Sequence, residues 1–339
     1  MRLTSMAMAK NSVTLGTPTD AIVSAVIERA QRAPSVHNTQ PWRWVFDGTG
    51  LDLFADPDRI LPATDPHGRE RVISCGAVLH HARTAFAALG WHTDTVRLPD
   101  RAQPDHLAAV TFRPWREPPA GIAERAAAID LRYTDRLPMY EPQNWDQVVP
   151  RLKQLVSPHG LFCDALAEDI RARVAAVSDI ASAARQDDPM YQDELHWWTG
   201  HSGGTEGVPP SVLVSDAEFS HVDIGRAFPR APHSMRRPDL TDHARLIVLS
   251  SPDDSLEQWL HTGEALSAVL LECAAAELST CPITHVTELP AGRRALAALL
   301  PHRAFPQVLI RVGASPDDEP RPPVTPRHPL DEVLRFTRR

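Results

Sequence analysis

Apolar residues Ile22, Val23, Val26, Ile27 and Ala30 recur at helical spacing behind Thr19 or Asp20, either of which can cap a helix, and Pro34 stops it. Trp42 to Phe46 and Leu51 to Ala55 then alternate or run apolar around Asp47-Gly48-Thr49-Gly50, which predicts a hairpin. Asp56 to Arg69 is polar and proline-punctuated, hence a loop. A helix rich in Ala, Val and Leu follows from Glu70 to Leu89, closed by Gly90. Its small residues Gly76, Ala77 and Ala85 leave room for another helix to approach. Val96 to Leu98 and Ala108 to Phe112 predict two more strands, residues 114–120 with their prolines a linker, and Ile122 to Ile129 the start of another helix.

The pattern then repeats. Leu246 to Ser251 is a buried strand, and Leu256 to Glu277 a second long helix in which Gly263-Glu264-Ala265-Leu266 takes the place of Gly76-Ala77-Val78-Leu79. A short turn, a proline-bounded segment (Leu98-Pro99, Leu289-Pro290) and a strand follow each helix, the second strand being Val308 to Val312. We read two degenerate copies of one domain in a single chain. The expected boundaries are 18–120 for copy one, and 121–186 with 241–335 for copy two. Residues 187–240 form an insertion expected to be irregular, rich in Pro, Gly, His and Asp. A span of that size without regular structure is usually functional or disordered, and its aromatic content wants a surface to cover.

Composition changes this picture little. The 339 residues are 42% apolar, enough for a sizeable core, and the net charge of −8 argues against nucleic acid or an anionic membrane as the main partner. Cys75, Cys163, Cys273 and Cys281 are scattered with no CxxC, so reduced thiols are expected rather than a zinc site or disulfide scaffold. Residues 1–17 read as a poorly ordered start without a signal-length apolar run, and nowhere do 18 apolar residues run together. A cytoplasmic protein is expected.

The stretch from Arg32 to Trp44 concentrates short polar side chains between Pro34 and Pro41. Such a loop suits close approach to a flat, hydrogen-bonding ligand; it also suits a plain helix-to-strand connection capped by Ser35 and Asn38. Arg132-Tyr133-Thr134-Asp135-Arg136 places two guanidinium groups at alternate positions with a hydroxyl between them. Along an extended chain these can fork onto phosphate oxygens, although a solvated turn has the same composition. Arg321 and Arg327 lie on the proline-held tail 320–329. GxSxG, HExxH, P-loop and GxGxxG motifs are absent, and His80 and His81, adjacent in a helix, point apart and cannot chelate one metal together. His196 and His201 lie beside Trp197 and Trp198, and packing or solvent exposure is expected for each.

The run Ala33-Pro34-Ser35-Val36-His37-Asn38-Thr39-Gln40-Pro41-Trp42 resembles the flavin-contacting loop of the nitroreductase family. Arg132, Thr134 and Arg136 resemble its Arg-x-Ser-x-Arg phosphate word with Thr for Ser, and Thr280-Cys281-Pro282-Ile283-Thr284 resembles the Pro-Ile segment that lies against one flavin face. Together with the doubled domain and the Pro/Arg tail, these marks are closest to the Acg-type, dormancy-associated branch of actinobacteria. The resemblance implies an α+β, nitroreductase-like fold, with an antiparallel-rich mixed sheet, in which a monomeric pseudo-dimer imitates the usual dimer. It implies FMN as cofactor, with NAD(P)H as electron donor and a nitro compound or quinone as acceptor. Pro34, Ser35, Val36, His37, Asn38 and Gln40 would meet the ring and ribityl groups, Pro282 and Ile283 a ring face, and Arg132, Thr134, Arg136 and Arg327 the phosphate. The family's paired C-terminal basic residues map onto Thr325 and Arg327, so one charge is missing and Arg321 is a candidate to replace it. Each copy keeps half of the equipment, so one complete site per chain is implied and the opposite site is expected to be empty. No side chain is named as catalytic. The second reading is a protein that sequesters FMN beneath a lid formed by 187–240, with Trp197-Trp198 as plug.

Overall fold

The structure, a computed structural model, describes residues 16–199 and 204–337; the reading of residues 1–17 as a loose start and the placement of His201 fall almost wholly outside them. Helix α1 (Asp20–Ala30) begins at Thr19, whose hydroxyl accepts from Ile22 N, and it buries Val23, Val26, Ile27 and Ala30. Strands β1 (Trp42–Phe46) and β2 (Gly50–Ala55) form the expected hairpin. Its turn is held by the Asp47 carboxylate, which accepts from the amides of Thr49 and Gly50, each at 2.8 Å. Helix α2 (Arg69–Ala88) leads to β3 (Trp91–Arg97) and β4 (His106–Pro114). Strand β3 starts directly after Gly90, five residues before the predicted start at Val96, because its first residues point one face inward and the other to solvent and give no long apolar run. Helix α3 (Ile122–Leu131) follows and leads into the second round.

The second round holds α4 (Trp145–Val156), β5 (Phe162–Ala165), α5 (Arg171–Gln186), α6 (Pro189–Trp197) and α7 (Asp216–Ser220). It continues with β6 (Arg245–Ser251), α8 (Leu256–Ala275), β7 (Ser279–Ile283), α9 (His285–Glu288), α10 (Pro290–Ala297) and β8 (Phe305–Gly313). Helix α11 (Leu330–Val333) and strand β9 (Leu334–Phe336) end the chain. The insertion is therefore less irregular than its composition suggests. Asp188 caps α6 by accepting from Tyr191 N, Pro189 opens it, and Ser215 with Glu218 forms a capping box on α7.

The two sheets share one topology. The first has the order β3-β4-β2-β1, the second β7-β8-β6-β5, with antiparallel pairing throughout and a 20-residue helix between the second and third strands of each round. Strand β9 then adds to the first sheet, parallel to β1, with Trp44 opposite Leu334. The tail of copy two thus completes the sheet of copy one.

Helices α2 and α8 cross at the centre of the molecule, and this is why both are buried on most of their faces. A Cβ on Gly76 would lie 2.1 Å from the Leu260 carbonyl oxygen, and one on Gly263 would lie 1.9 Å from that of Ile73. The two glycines occupy equivalent positions and face each other, so the axis relating the copies runs between them. Only a residue without a side chain fits at either place. All four cysteines are buried and unpaired, and no helix among the described residues is long and apolar enough to cross a membrane.

Candidate functional site

One cavity of about 250 Å³ lies between the copies and under the insertion. Copy one contributes Pro34, Ser35, Val36, His37 and Asn38, together with Glu70 and Ser74 from α2. Copy two contributes Arg132, Thr134, Arg136, Pro282, Ile283, Arg321 and Arg327. Residues expected from separate halves of the sequence therefore share one space.

The loop is held in a costly backbone conformation. His37, Asn38 and Gln40 have φ of 49°, 58° and 49°, left-handed values that cost non-glycine residues about 1–3 kcal/mol each and persist only where surrounding bonds enforce them. Those bonds are present. Ser35 Oγ accepts from Gln40 N at 3.0 Å, Ser74 Oγ from Val36 N at 3.3 Å, and Asn38 Nδ2 donates to Gly207 O at 3.0 Å and Pro326 O at 3.2 Å. Gln40 departs from expectation. It does not line the cavity: its side-chain amide donates to Thr205 O at 2.9 Å and accepts from His328 N at 3.0 Å, so it braces the loop from behind. Its alternating position beside Pro41 turns the side chain toward the tail.

At one end of the cavity three arginines converge. Arg132 Nη2 donates to Arg32 O at 2.9 Å, Arg327 Nε to Gln31 O at 2.5 Å, and Arg32 Nη1 and Arg327 Nη1 both to Thr325 O. Their partners are neutral carbonyls. Buried Nε and Nη1 of Arg132 have no partner among the described residues. Burial, then the charge of Arg32, pulls Arg132 down to about 10. Burial, then Arg32 and Arg132, pulls Arg327 well below the usual guanidinium range. Asp130, the carboxylate that offsets Arg32, is itself bound by Arg29 at 2.6 Å. Unpaired buried cations are expensive, and the cluster has the form of a seat for an anion. The sequence reading missed Arg32; its signal was its place directly before the polar loop.

Arg136 does not share this seat. Thr134 bridges to Thr280 and Asp135 turns inward to Arg237 at 2.9 Å, so the stretch from Arg132 to Arg136 is no regular strand and the two guanidiniums part company. Arg136 lies 5.1 Å over the Phe228 ring, near Arg226 and Arg236, and forms no ion pair among the described residues. Thr134, Pro282 and Ile283 line the same cavity, with Pro282 and Ile283 in strand β7 rather than in a turn.

The insertion supplies the roof. Leu213, Val214, Phe219, Val222 and Phe228 face the cavity, with His37 edge-on to Phe228 at 5.7 Å. Trp197 and Trp198 are not the plug: Trp197 is 64% exposed and neither lines the cavity, while the Trp198 carbonyl accepts from Val208 N at 2.7 Å and anchors the roof by its backbone. His196 is exposed, as expected.

Two proteins of Mycobacterium tuberculosis strains that carry the provisional name NAD(P)H nitroreductase acg are 46% identical to this chain over 317 residues, covering 93% of it and 96% of theirs. The chain belongs to the Acg-type nitroreductase-like family. Another relative from that bacterium, with a provisional nitroreductase name, is 35% identical over 331 residues, covering 94% of this chain and 92% of its own. No protein-family model matches. Among solved structures, the FMN-dependent nitroreductase of Mycobacterium smegmatis in complex with NADPH is 16% identical, with a TM-score of 0.41, over 64% of this chain and all of that one.

In this Acg-type chain the positions related to the cavity by the internal axis are filled. With Gly76 equivalent to Gly263, Ser74 corresponds to His261 and Ala77 to Glu264, and the loop Ser157–His159 corresponds to Val36–Asn38. Glu264 is fully buried and clasped by Arg83 and Arg97, each at 2.6 Å, which holds its carboxyl down to about 2 against the opposing effect of burial. His159 and His261 close in at 3.9 and 3.7 Å, both kept neutral mainly by burial. Both carboxylate oxygens of Glu264 are taken by guanidinium groups, so the cluster is a buried ion network in place of a second loop-and-arginine site.

Proposed function

We propose that this chain binds FMN in the cavity between its copies and serves as an oxidoreductase, taking hydride from NAD(P)H and passing electrons to a nitro compound or quinone. The observation that carries the reading is the Arg32–Arg132–Arg327 cluster with its unpartnered Arg132 N–H groups, in the same cavity as the strained loop Pro34–Asn38. A terminal phosphate fits that seat, and a flat ring fits the slot between the loop and Pro282-Ile283. Arg136, which forms no ion pair among the described residues, would offer the flavin a second cation apart from the phosphate seat. When bound, the flavin supplies the hydride chemistry; the protein binds, orients and tunes it. The names of the relatives agree with this reading.

Storage without turnover is the second reading, and the pinning of the roof favours it. Asn38, Gln40 and Arg59 hold Gly207, Thr205 and Glu206 in place. Purified protein should be yellow. Anaerobic NADPH should bleach the flavin band; persistent colour after NADPH, with bleaching by dithionite, would leave storage as the function.

A further inference from the structure

Glu70, on the first turn of α2, lies on the cavity wall and is 2% exposed. Its Oε1 accepts from Arg69 Nη2 at 3.0 Å, and its Oε2 is 3.0 Å from Thr284 Oγ1. That hydroxyl also lies 3.4 Å from Glu288 Oε1 and 3.1 Å from Arg226 Nη2. One hydroxyl has one hydrogen, so it cannot donate to both carboxylates. Glu288 is the better placed of the two as an anion, because Arg226 grips both of its oxygens. Arg69, by contrast, spreads its donors over Gln307 and Thr287 as well as Glu70. Every atom is satisfied if Glu70 Oε2 carries a proton and donates it to Thr284 Oγ1, which accepts also from Arg226 and donates to Glu288. The surrounding charges agree. Burial, Glu288 and Asp65 push the Glu70 carboxyl up, against the weaker pull of Arg69 and Arg226, to about 8.

We propose that Glu70 is the catalytic acid of this cavity, delivering its Oε2 proton to the oxygen of a nitro or quinone acceptor bound beside it. The inference rests on the oxidoreductase reading above. Every acceptor of that class consumes a proton in addition to the hydride: a nitro compound with NAD(P)H and one proton gives the nitroso compound, NAD(P)⁺ and water, and a quinone gives the hydroquinone and NAD(P)⁺. Under a pinned roof that proton is best held inside. The other lining acids serve less well, since Asp130 is ion-paired with Arg29 and burial and neighbouring Asp135 and Asp242 push the Cys281 thiol up. In the transfer the Glu70 O–H bond breaks and an acceptor O–H bond forms. The carboxylate left behind is held by Arg69 and regains its proton from water as product leaves.

Glu70→Gln keeps the shape and the neutral charge of the protonated acid, so FMN binding should be unchanged. Two measurements test the role. Infrared spectra of the protein should show a protonated-carboxyl carbonyl band at neutral pH that fades as pH rises through about 8 and is missing in E70Q. With the flavin reduced by dithionite, so that NAD(P)H is not involved, menadione should reoxidise E70Q roughly 10²–10⁴-fold more slowly than wild type, the usual contribution of a general acid. Wild-type reoxidation should itself slow above that pH, while E70Q is flat. A missing carboxyl band in wild type, or equal reoxidation rates, overturns the proposal. A failure of NADPH to bleach the flavin would count against the oxidoreductase reading instead, and the dithionite measurement keeps the two outcomes apart.

Discussion

Asn38 and Gly207 are bonded to each other twice: the Asn38 side-chain amide donates to Gly207 O at 3.0 Å, and Gly207 N donates to Asn38 O at 3.4 Å. A residue of the strained loop that lines the cavity is thereby tied to the start of the roof. Gly207 itself has φ +81°, and a Cβ there would meet the Trp198 carbonyl oxygen at 3.0 Å. The tie has little room to shift.

Asn38→Ala should therefore loosen the roof without unfolding the chain. It removes the side-chain bonds to Gly207 and Pro326 and the residue type best suited to a left-handed φ, a local cost of about 1–3 kcal/mol. Hydrogen exchange at the amides of Gly207 and Val208 should quicken by one to two orders of magnitude, consistent with roughly 1.4 kcal/mol per tenfold, while amides of β6 and β8 stay protected. Equal protection at Gly207 would mean that the roof is held elsewhere.

The arginine seat makes a two-sided prediction. Replacing Arg132 or Arg327 by Ala should weaken FMN binding by roughly 1.5–3 kcal/mol per charged hydrogen bond lost. The same changes should leave the flavin-free protein as stable as before or more so, since each relieves an unpaired buried charge. Arg136→Ala should act differently, altering the flavin spectrum and potential more than phosphate affinity. Flavin titrations paired with urea unfolding of the flavin-free variants decide the matter; flavin affinity unchanged in Arg132→Ala would remove that residue from the seat.

Acid should destabilise the protein through Glu264. Its carboxyl titrates at about 2 when folded against an ordinary value of 4.5, so the unfolded chain takes up the proton first. Its contribution, about 3 kcal/mol at 1.36 kcal/mol per pKa unit, is fully present above pH 4.5 and is lost as pH falls from 4.5 through about 2. His80 and His285, kept neutral chiefly by burial down to about 3, act in the same direction below pH 6.5, since only the unfolded chain binds their protons there. Urea midpoints taken down this pH range should fall steeply in wild type. Glu264→Gln should lower stability at neutral pH, by stranding Arg83 and Arg97, and flatten the slope below pH 4.5.

How much of this was written in the chain can be traced residue by residue. The repeat of Gly76 in Gly263, the hairpin around Asp47-Gly48, and the polar word from Pro34 to Asn38 were legible because each depends on neighbours a few positions away: periodicity, turn chemistry, backbone allowance. The fold and the two halves of the cavity followed from them. Other features required the chain to be closed. Strand β9 joins the sheet of the other copy, Gln40 braces instead of lining, and Arg132 parts from Arg136 to join Arg32 and Arg327. Glu70 meets Glu288 across one hydroxyl. Each of these is a meeting of groups far apart in sequence, and its outcome turns on burial and on which charge finds a partner. Local pattern carries neither quantity; both exist only once the core has excluded water.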